Sequence, residues 1–255
     1  MALGSYCAAG PLSERIVFVA EHNGLKKLYI CRPDGRDLKR FCREPGHKLQ
    51  PAYSPTLERI FFVRPVKALH EICSVDSEGR NLKVEVSLKS NALYPSVSPD
   101  GTKLMFCTDR WGPMELCEMD LETGKLDRIT YDAGTNTRPR YSPDGKSVLF
   151  LSRRNGLTEV YRLFLEDKAL QRLTDSPFAH GAASWSPDGT ELAWLRGSGA
   201  PLRGHDPSNE LWMRLEIASA DGEGEIHDVM SWGHAWGRTQ RIGFSPDGDR
   251  LLLVE

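Results

Sequence analysis

The sequence predicts an all-β protein, a β-propeller of four-stranded antiparallel blades, and three observations carry that expectation. A proline recurs at a 44-residue step, at Pro11, Pro55, Pro99, Pro143 and Pro187, and Pro246 follows after 59. Four of the six sit in a complete Ser-Pro-Asp-Gly, at residues 98–101, 142–145, 186–189 and 245–248. Between these turns the chain reads as short strands whose apolar positions keep register from one repeat to the next. A period of about 40–50 residues built of strands marks a propeller with one blade per repeat.

The third repeat justifies each element in order. Residues 94–98 form a short inner strand, which Pro99, Asp100 and Gly101 turn back. Proline presets φ at the second turn position, the aspartate bonds its own backbone, and glycine takes the positive φ. Residues 103–108 alternate polar and apolar as the second strand. A loop over 109–113 leads to a third strand at 115–121, and Glu122, Thr123 and Gly124 make a tight turn into a fourth at 126–130. Four antiparallel strands make one blade.

The other repeats align on this one without gaps. The second strand repeats an aromatic residue as Phe18, Phe62, Phe106, Phe150 and Trp194, and the inner strand places Tyr53, Val97, Tyr141, Trp185 and Phe244 before the turn serine. An isolated blade cannot bury both faces, so stacked blades bury these rows as core. Blades are expected at about residues 5–43, 49–88, 93–131, 137–175 and 181–230, followed by the first half of a sixth at 239–255, all within one domain. A half blade exposes an apolar edge. The chain is therefore expected to be a fragment, or to have its ring completed by a partner or by further residues. The 15 additional residues between Pro187 and Pro246 are assigned mostly to a loop at 197–208 and partly to 230–237, between blades five and six. Insertions in a repeat array land on one face, often the binding face.

Composition narrows the function classes. With 33 basic and 35 acidic residues the net charge is -2, which gives no bias toward nucleic acid or an acidic membrane surface. No apolar run approaches the ~20 residues of a membrane span, and residues 1–10 lack the pattern of a secretion leader. The six cysteines show neither CxxC spacing nor zinc-type pairing with histidine. Cys73 and Cys117 take the repeat position of Tyr29 and Tyr161, as interblade filling. Free thiols without a leader fit the cytoplasm.

Loops between strands two and three, and those joining blades, are expected on one face. They carry Arg110, Trp111, Arg138, Arg153, Arg154, His180, His205, His234, Trp236 and Arg238. Arginine forks a carboxylate and tryptophan offers a flat apolar surface, so this set suits a protein, a peptide or another acidic ligand. His180, His205 and His234 share the sector of blades four to six and could together hold a divalent metal; no other cofactor is expected. Asp100, Asp144, Asp188 and Asp247 read as turn residues on the opposite face. No Gly-x-Ser-x-Gly elbow, and no cysteine beside a base, supports nucleophilic catalysis.

The run Trp185-Ser186-Pro187-Asp188-Gly189, with Asp120-Leu121 and Arg172-Leu173-Thr174, resembles the repeat of TolB-like propellers, a WD40-like Pro-Asp repeat family. The resemblance covers essentially the whole chain. It implies a six-bladed ring and periplasmic protein–protein contacts, although the amino-terminal α/β domain and secretion signal of TolB are missing. Similar repeats gate prolyl-oligopeptidase-type and tricorn-type proteases and build the manganese-binding oligogalacturonate lyases. The expected function is a non-catalytic scaffold that binds a protein or peptide. The alternatives are a metal-dependent lyase or hydrolase acting on an acidic oligosaccharide, or a gating module of a larger peptidase. In the lyases a His-x-His pair precedes a blade's proline turn; Gln240-Arg241-Ile242 stands there in this chain, which counts against lyase chemistry.

Overall fold

The computed structural model describes residues 15–131, 134–198, 212–221, 225–233 and 241–254, all of them in antiparallel sheet, turns and connections. The first sheet holds β1 (Ile16–His22), β2 (Leu25–Cys31) and β3 (Lys39–Arg40). The second holds β4 (Leu49–Ser54), β5 (Arg59–Val66), β6 (Leu69–Asp76) and β7 (Lys83–Val86). The third holds β8 (Ala92–Val97), β9 (Lys103–Thr108), β10 (Glu115–Asp120) and β11 (Leu126–Arg128). The fourth holds β12 (Asn136–Tyr141), β13 (Ser147–Asn155), β14 (Leu157–Phe164) and β15 (Leu170–Arg172). In the fifth are β16 (His180–Trp185), β17 (Glu191–Ser198), β18 (Trp212–Ser219) and β19 (His227–Gly233); β20 (Arg241–Phe244) and β21 (Leu251–Val254) pair as a sixth, two-stranded sheet. Inner strands approach one another in chain order, β4 to β8, β12, β16 and β20, which makes the propeller. Pro11 and the expected start of blade one lie outside the described residues.

The repeated turn has a specific chemistry. Ser98, Ser142 and Ser186 donate Oγ–H to Asp100, Asp144 and Asp188 at 2.5, 2.5 and 2.6 Å. Each serine Oγ also accepts the amide five residues on, from Lys103, Ser147 and Glu191 at 2.9–3.0 Å. These serine hydroxyls and the amides two residues past each aspartate hold the carboxyls below the usual carboxylate range, Asp188 down to about 2. Glycine closes the turn at positive φ, +72° at Gly145 and +76° at Gly189. A Cβ there would meet the Pro99 and Pro143 rings of the preceding blade at 3.5 Å, so consecutive turns nest on one another.

The core lies between sheets, as the aligned rows predict. Phe62 and Tyr53 pack with Val17 and Leu28 of blade one, Phe106 with Phe61 and Ile72, and Trp194 with Leu149 and Trp185. Cys73 and Cys117 fill the first two of these interfaces, and burial pushes both thiols up to about 12. Burying one such large side chain is worth about 2–3 kcal/mol.

Several expected loop residues are strand residues. Arg153, Arg154 and Asn155 extend β13, because Asn155 pairs with Leu157 across Gly156 at φ +96°. Arg138 and His180 lie in β12 and β16. In blade five, Ser198 pairs with Trp212, so Gly197 and Ser198 belong to β17, and residues 199–211 lie outside the described set. Residues 230–233, assigned above to an interblade connection, are instead the second half of the outer strand β19.

Candidate functional site

Inner strands begin, second strands end and third strands begin on one face, opposite the Ser-Pro-Asp-Gly turns, as the register Asn136–Ser152–Glu159 places them. Two repeating structures occupy this face.

The first is an inner rim. Every complete inner strand breaks register near its start, between Leu49 and Ala52, Leu93 and Ser96, Thr137 and Arg140, and His180 and Ala183. In three of them a side-chain-bearing residue takes the left-handed conformation: Gln50 (φ 50), Tyr94 (φ 56) and Arg138 (φ 57). Each precedes a proline, Pro51, Pro95 and Pro139. A left-handed L-residue costs about 1–2 kcal/mol, and a following proline restricts it further. These strands are the ends of their sheets. Proline, which lacks an N–H, blunts such an edge. Gln50 Oε1 accepts the Tyr94 amide at 2.7 Å, and the Arg138 guanidinium stands 5.7 Å from the Tyr94 ring. The three residues therefore link three consecutive blades. Blade five has Ala182 and Ala183 at the corresponding positions.

The second structure is a set of buried carboxylates at the start of the third strands, Glu71, Glu115 and Glu159. Glu115 takes Arg128 at 3.1 Å and Asn136 at 3.1 Å, together with the Thr130 hydroxyl. Glu159 repeats this arrangement with Arg172 at 3.1 Å and the Thr174 hydroxyl, and His180 Nδ1 stands 2.9 Å from it without hydrogen-bond alignment. Where Val84 and Val86 replace the strand-four arginine and threonine, Arg64 supplies the charge to Glu71 through Nε at 2.7 Å. Between blades one and two the signs invert. Lys27 stands at the glutamate position and Lys48 at the Asn136 position, both buried, with Lys48 donating to the Glu44 carbonyl at 2.6 Å and Lys27 to that of Gly46 at 2.7 Å. Burial lowers both amines from the usual lysine range.

These networks engage much of the predicted site. Burial holds the His180 imidazole below the usual histidine range, against the pull of Glu159. His205, His234, Trp236 and Arg238 lie outside the described residues. Among the described residues no three His, Cys, Asp or Glu side chains are grouped to hold a metal ion. Arg154 stacks 4.5 Å from the Tyr161 ring and donates to Ser152 Oγ at 2.9 Å. Arg110 and Arg153 are exposed, Arg110 at 5.9 Å from the Trp111 ring and Arg153 bonded to the Gly156 carbonyl at 2.8 Å. Arg128 lies 5.1 Å from Trp111 and 4.8 Å from Tyr131, so one guanidinium spans a buried carboxylate and two exposed rings.

Between blades four and five lies a cavity of about 340 Å³, lined by Asp175, His180, Arg196, Glu216, Ile226 and Asp228 among others. Arg196 bonds Glu216, Trp194 Nε1 donates to Glu216 at 2.7 Å, and Arg214 holds Asp228 at 2.5 Å. The signal in the sequence for both structures is spacing alone: Pro51, Pro95 and Pro139, and Glu71, Glu115 and Glu159, keep the 44-residue step.

The fold is shared with known proteins. A family model described as the TolB beta propeller domain matches residues 7–210. No curated protein matches the sequence. Among solved structures, a TolB candidate from Agrobacterium tumefaciens is 22% identical with a TM-score of 0.78, the match covering 99% of this chain and 88% of that one. TolB from Acinetobacter baumannii is 27% identical at a TM-score of 0.76, with 96% of this chain and 58% of that one covered. An oligogalacturonate lyase in complex with manganese is 15% identical at 0.65, covering 97% and 70%.

Proposed function

The chain belongs to the TolB beta propeller domain family, and from that premise we propose that it works by binding an acidic segment of a protein or peptide across the inner rim of blades two to four. The observation that carries this reading is the run Gln50, Tyr94 and Arg138, three left-handed residues ahead of three prolines. Backbone strain repeated at one position persists where the surroundings over-determine it, and it concentrates at ligand contacts. The bulges add to this, since they re-aim side chains beside functional sites. Exposed Arg110 and Arg153, with Trp111 and Tyr131, lie on the same face as the rim and offer it donors for carboxylates and flat apolar area, Trp111 and Tyr131 toward the outer strand where they flank Arg128.

Fluorescence anisotropy with a labelled peptide of alternating glutamate and tyrosine tests the reading. Arg110→Glu combined with Arg153→Glu is expected to raise Kd at least tenfold, and Tyr94→Ala to do the same with a smaller salt dependence. Equal affinity in wild type and both variants sinks it.

A further inference from the structure

We infer that the outer strand of blade five takes an extended, basic segment of a partner protein as an added antiparallel strand. Outer strands of the other blades are short, two residues in β3, four in β7 and three each in β11 and β15. Short outer strands are a standard protection of sheet edges. β19 has seven residues and is the outer end of its sheet among the described strands. The edge is also apolar: Ile226, Val229 and Met230 are 52%, 52% and 55% exposed. Elsewhere on outer strands the large exposed apolar residues are single, Val84 in β7 and Leu170 in β15.

The second half of β19 is suited to pairing. A register shift opposite Leu215 and Glu216 leaves Val229 as the extra residue. Beyond it, Met230 to Gly233 pair in unbroken register with Leu215 to Trp212. In an antiparallel ladder alternate residues turn their N–H and C=O groups away from the strand they pair with. Those outward groups are the template for one more strand.

Cavities on the two sides of the sheet supply the specificity. Ile226 and Asp228 line the cavity of about 340 Å³, whereas Glu225 and His227 line a second one of about 370 Å³ beside Ile217 and Ala218. An added strand directs alternate side chains to the two sides in the same manner. At and beside this first cavity, among the described residues, Glu159, Asp175, Glu216 and Asp228 pair with three guanidinium groups, Arg172, Arg196 and Arg214. The carboxylates outnumber the guanidinium groups by one. Asp175, with 82% of its side chain exposed, and Asp228, with 49%, present that excess to the solvent side. A lysine or arginine flanked by apolar residues complements this edge; an acidic segment does not.

This surface lies at the outer end of blade five, away from the rim of blades two to four, so it stands or falls independently of the binding reading above. The test uses the full chain and a labelled peptide, acetyl-Thr-Val-Arg-Val-Thr-Val-Arg-Val-amide, with a counterpart carrying glutamate in place of arginine. The basic peptide is expected to bind at least tenfold more tightly than the acidic one and to slow amide exchange within residues 227–233. Val229→Lys and Met230→Lys, each at an exposed position, should each weaken it at least tenfold. Equal affinity for the two peptides, exchange slowed only outside β19, or wild-type affinity in both variants would overturn the proposal. Sedimentation showing a dimer that Met230→Lys dissolves would assign the edge to a second copy and overturn it as well.

Discussion

His180 Nδ1 lies 2.9 Å from Glu159 Oε2, in the place where Asn136 Nδ2 lies 3.1 Å from Glu115 Oε2 one blade earlier. The carboxylate, the threonine hydroxyl and the arginine are the same in both blades; only the last partner differs. Asparagine does not titrate, whereas burial keeps the His180 imidazole below its usual range. The unfolded chain therefore takes up a proton near pH ~6.5 that the folded chain refuses. Stability from this site is present above that pH and is lost as pH falls below it. Urea midpoints measured from pH 7.5 to 5.5 should decline for the wild type and stay flatter for His180→Asn, which transplants the blade-four residue. An equal decline in both would show that the pair does not govern this window.

Glu115 is fully buried and closes on Arg128, Thr130 and Asn136 together. Removing one member of such a set strands the others, at about 3 kcal/mol or more. Glu115→Ala is expected to cost that much in urea unfolding. It should also free Arg128 from between Trp111 and Tyr131, which acrylamide quenching of tryptophan fluorescence would register. A variant losing less than about 1 kcal/mol would mean that the network is incidental.

Gly79 and Gly124 occupy turns between strands three and four at nearly equal φ, +77° and +72°. Alanine costs about 1–2 kcal/mol in that backbone conformation by itself. At Gly124 nothing else intervenes, since a Cβ there meets no atom within 4 Å. At Gly79 it would sit 2.2 Å from the Phe41 carbonyl oxygen of blade one, an impossible contact with backbone. Thermal unfolding should show Gly79→Ala losing at least twice the stability lost by Gly124→Ala. Equal losses would mean that blades one and two separate freely at this turn.

These comparisons show which physics a single sequence exposes. The turns were legible because Ser98, Pro99, Asp100 and Gly101 each do a local job, and local chemistry needs no partner from elsewhere. Interblade rows such as Phe62, Phe106 and Phe150 were legible because an apolar residue in register has one destination. Glu115 was not, because a carboxylate in an alternating strand reads as its solvent side until the register brings Thr130 and Asn136 onto it. The rim is hidden in the sequence for a related reason. Gln50, Tyr94 and Arg138 share no chemistry, only a backbone conformation and a following proline. The bulges that create this conformation also hid the start of the inner strands, which is why Arg138 and His180 read as loop residues.

The buried cysteines report on how cooperatively the blades separate. Cys73, Cys117 and Cys107 lie in three successive interfaces, between blades one and two, two and three, and three and four. Cys31 belongs to a smaller cluster with Phe18 and Ala20 and is 8% exposed. Burial raises all four thiols, Cys73 and Cys117 to about 12, so at pH 8 the reactive thiolate is scarce until an interface opens. Stacked repeats contact only their neighbours, so opening can be local. Pulsed alkylation with mass spectrometry in rising urea should label Cys31 first and Cys73, Cys107 and Cys117, each 0% exposed, only at higher urea. Labelling of all four at a single urea concentration would instead mean that the stack opens as one cooperative unit, and the ordering argued from burial would fail.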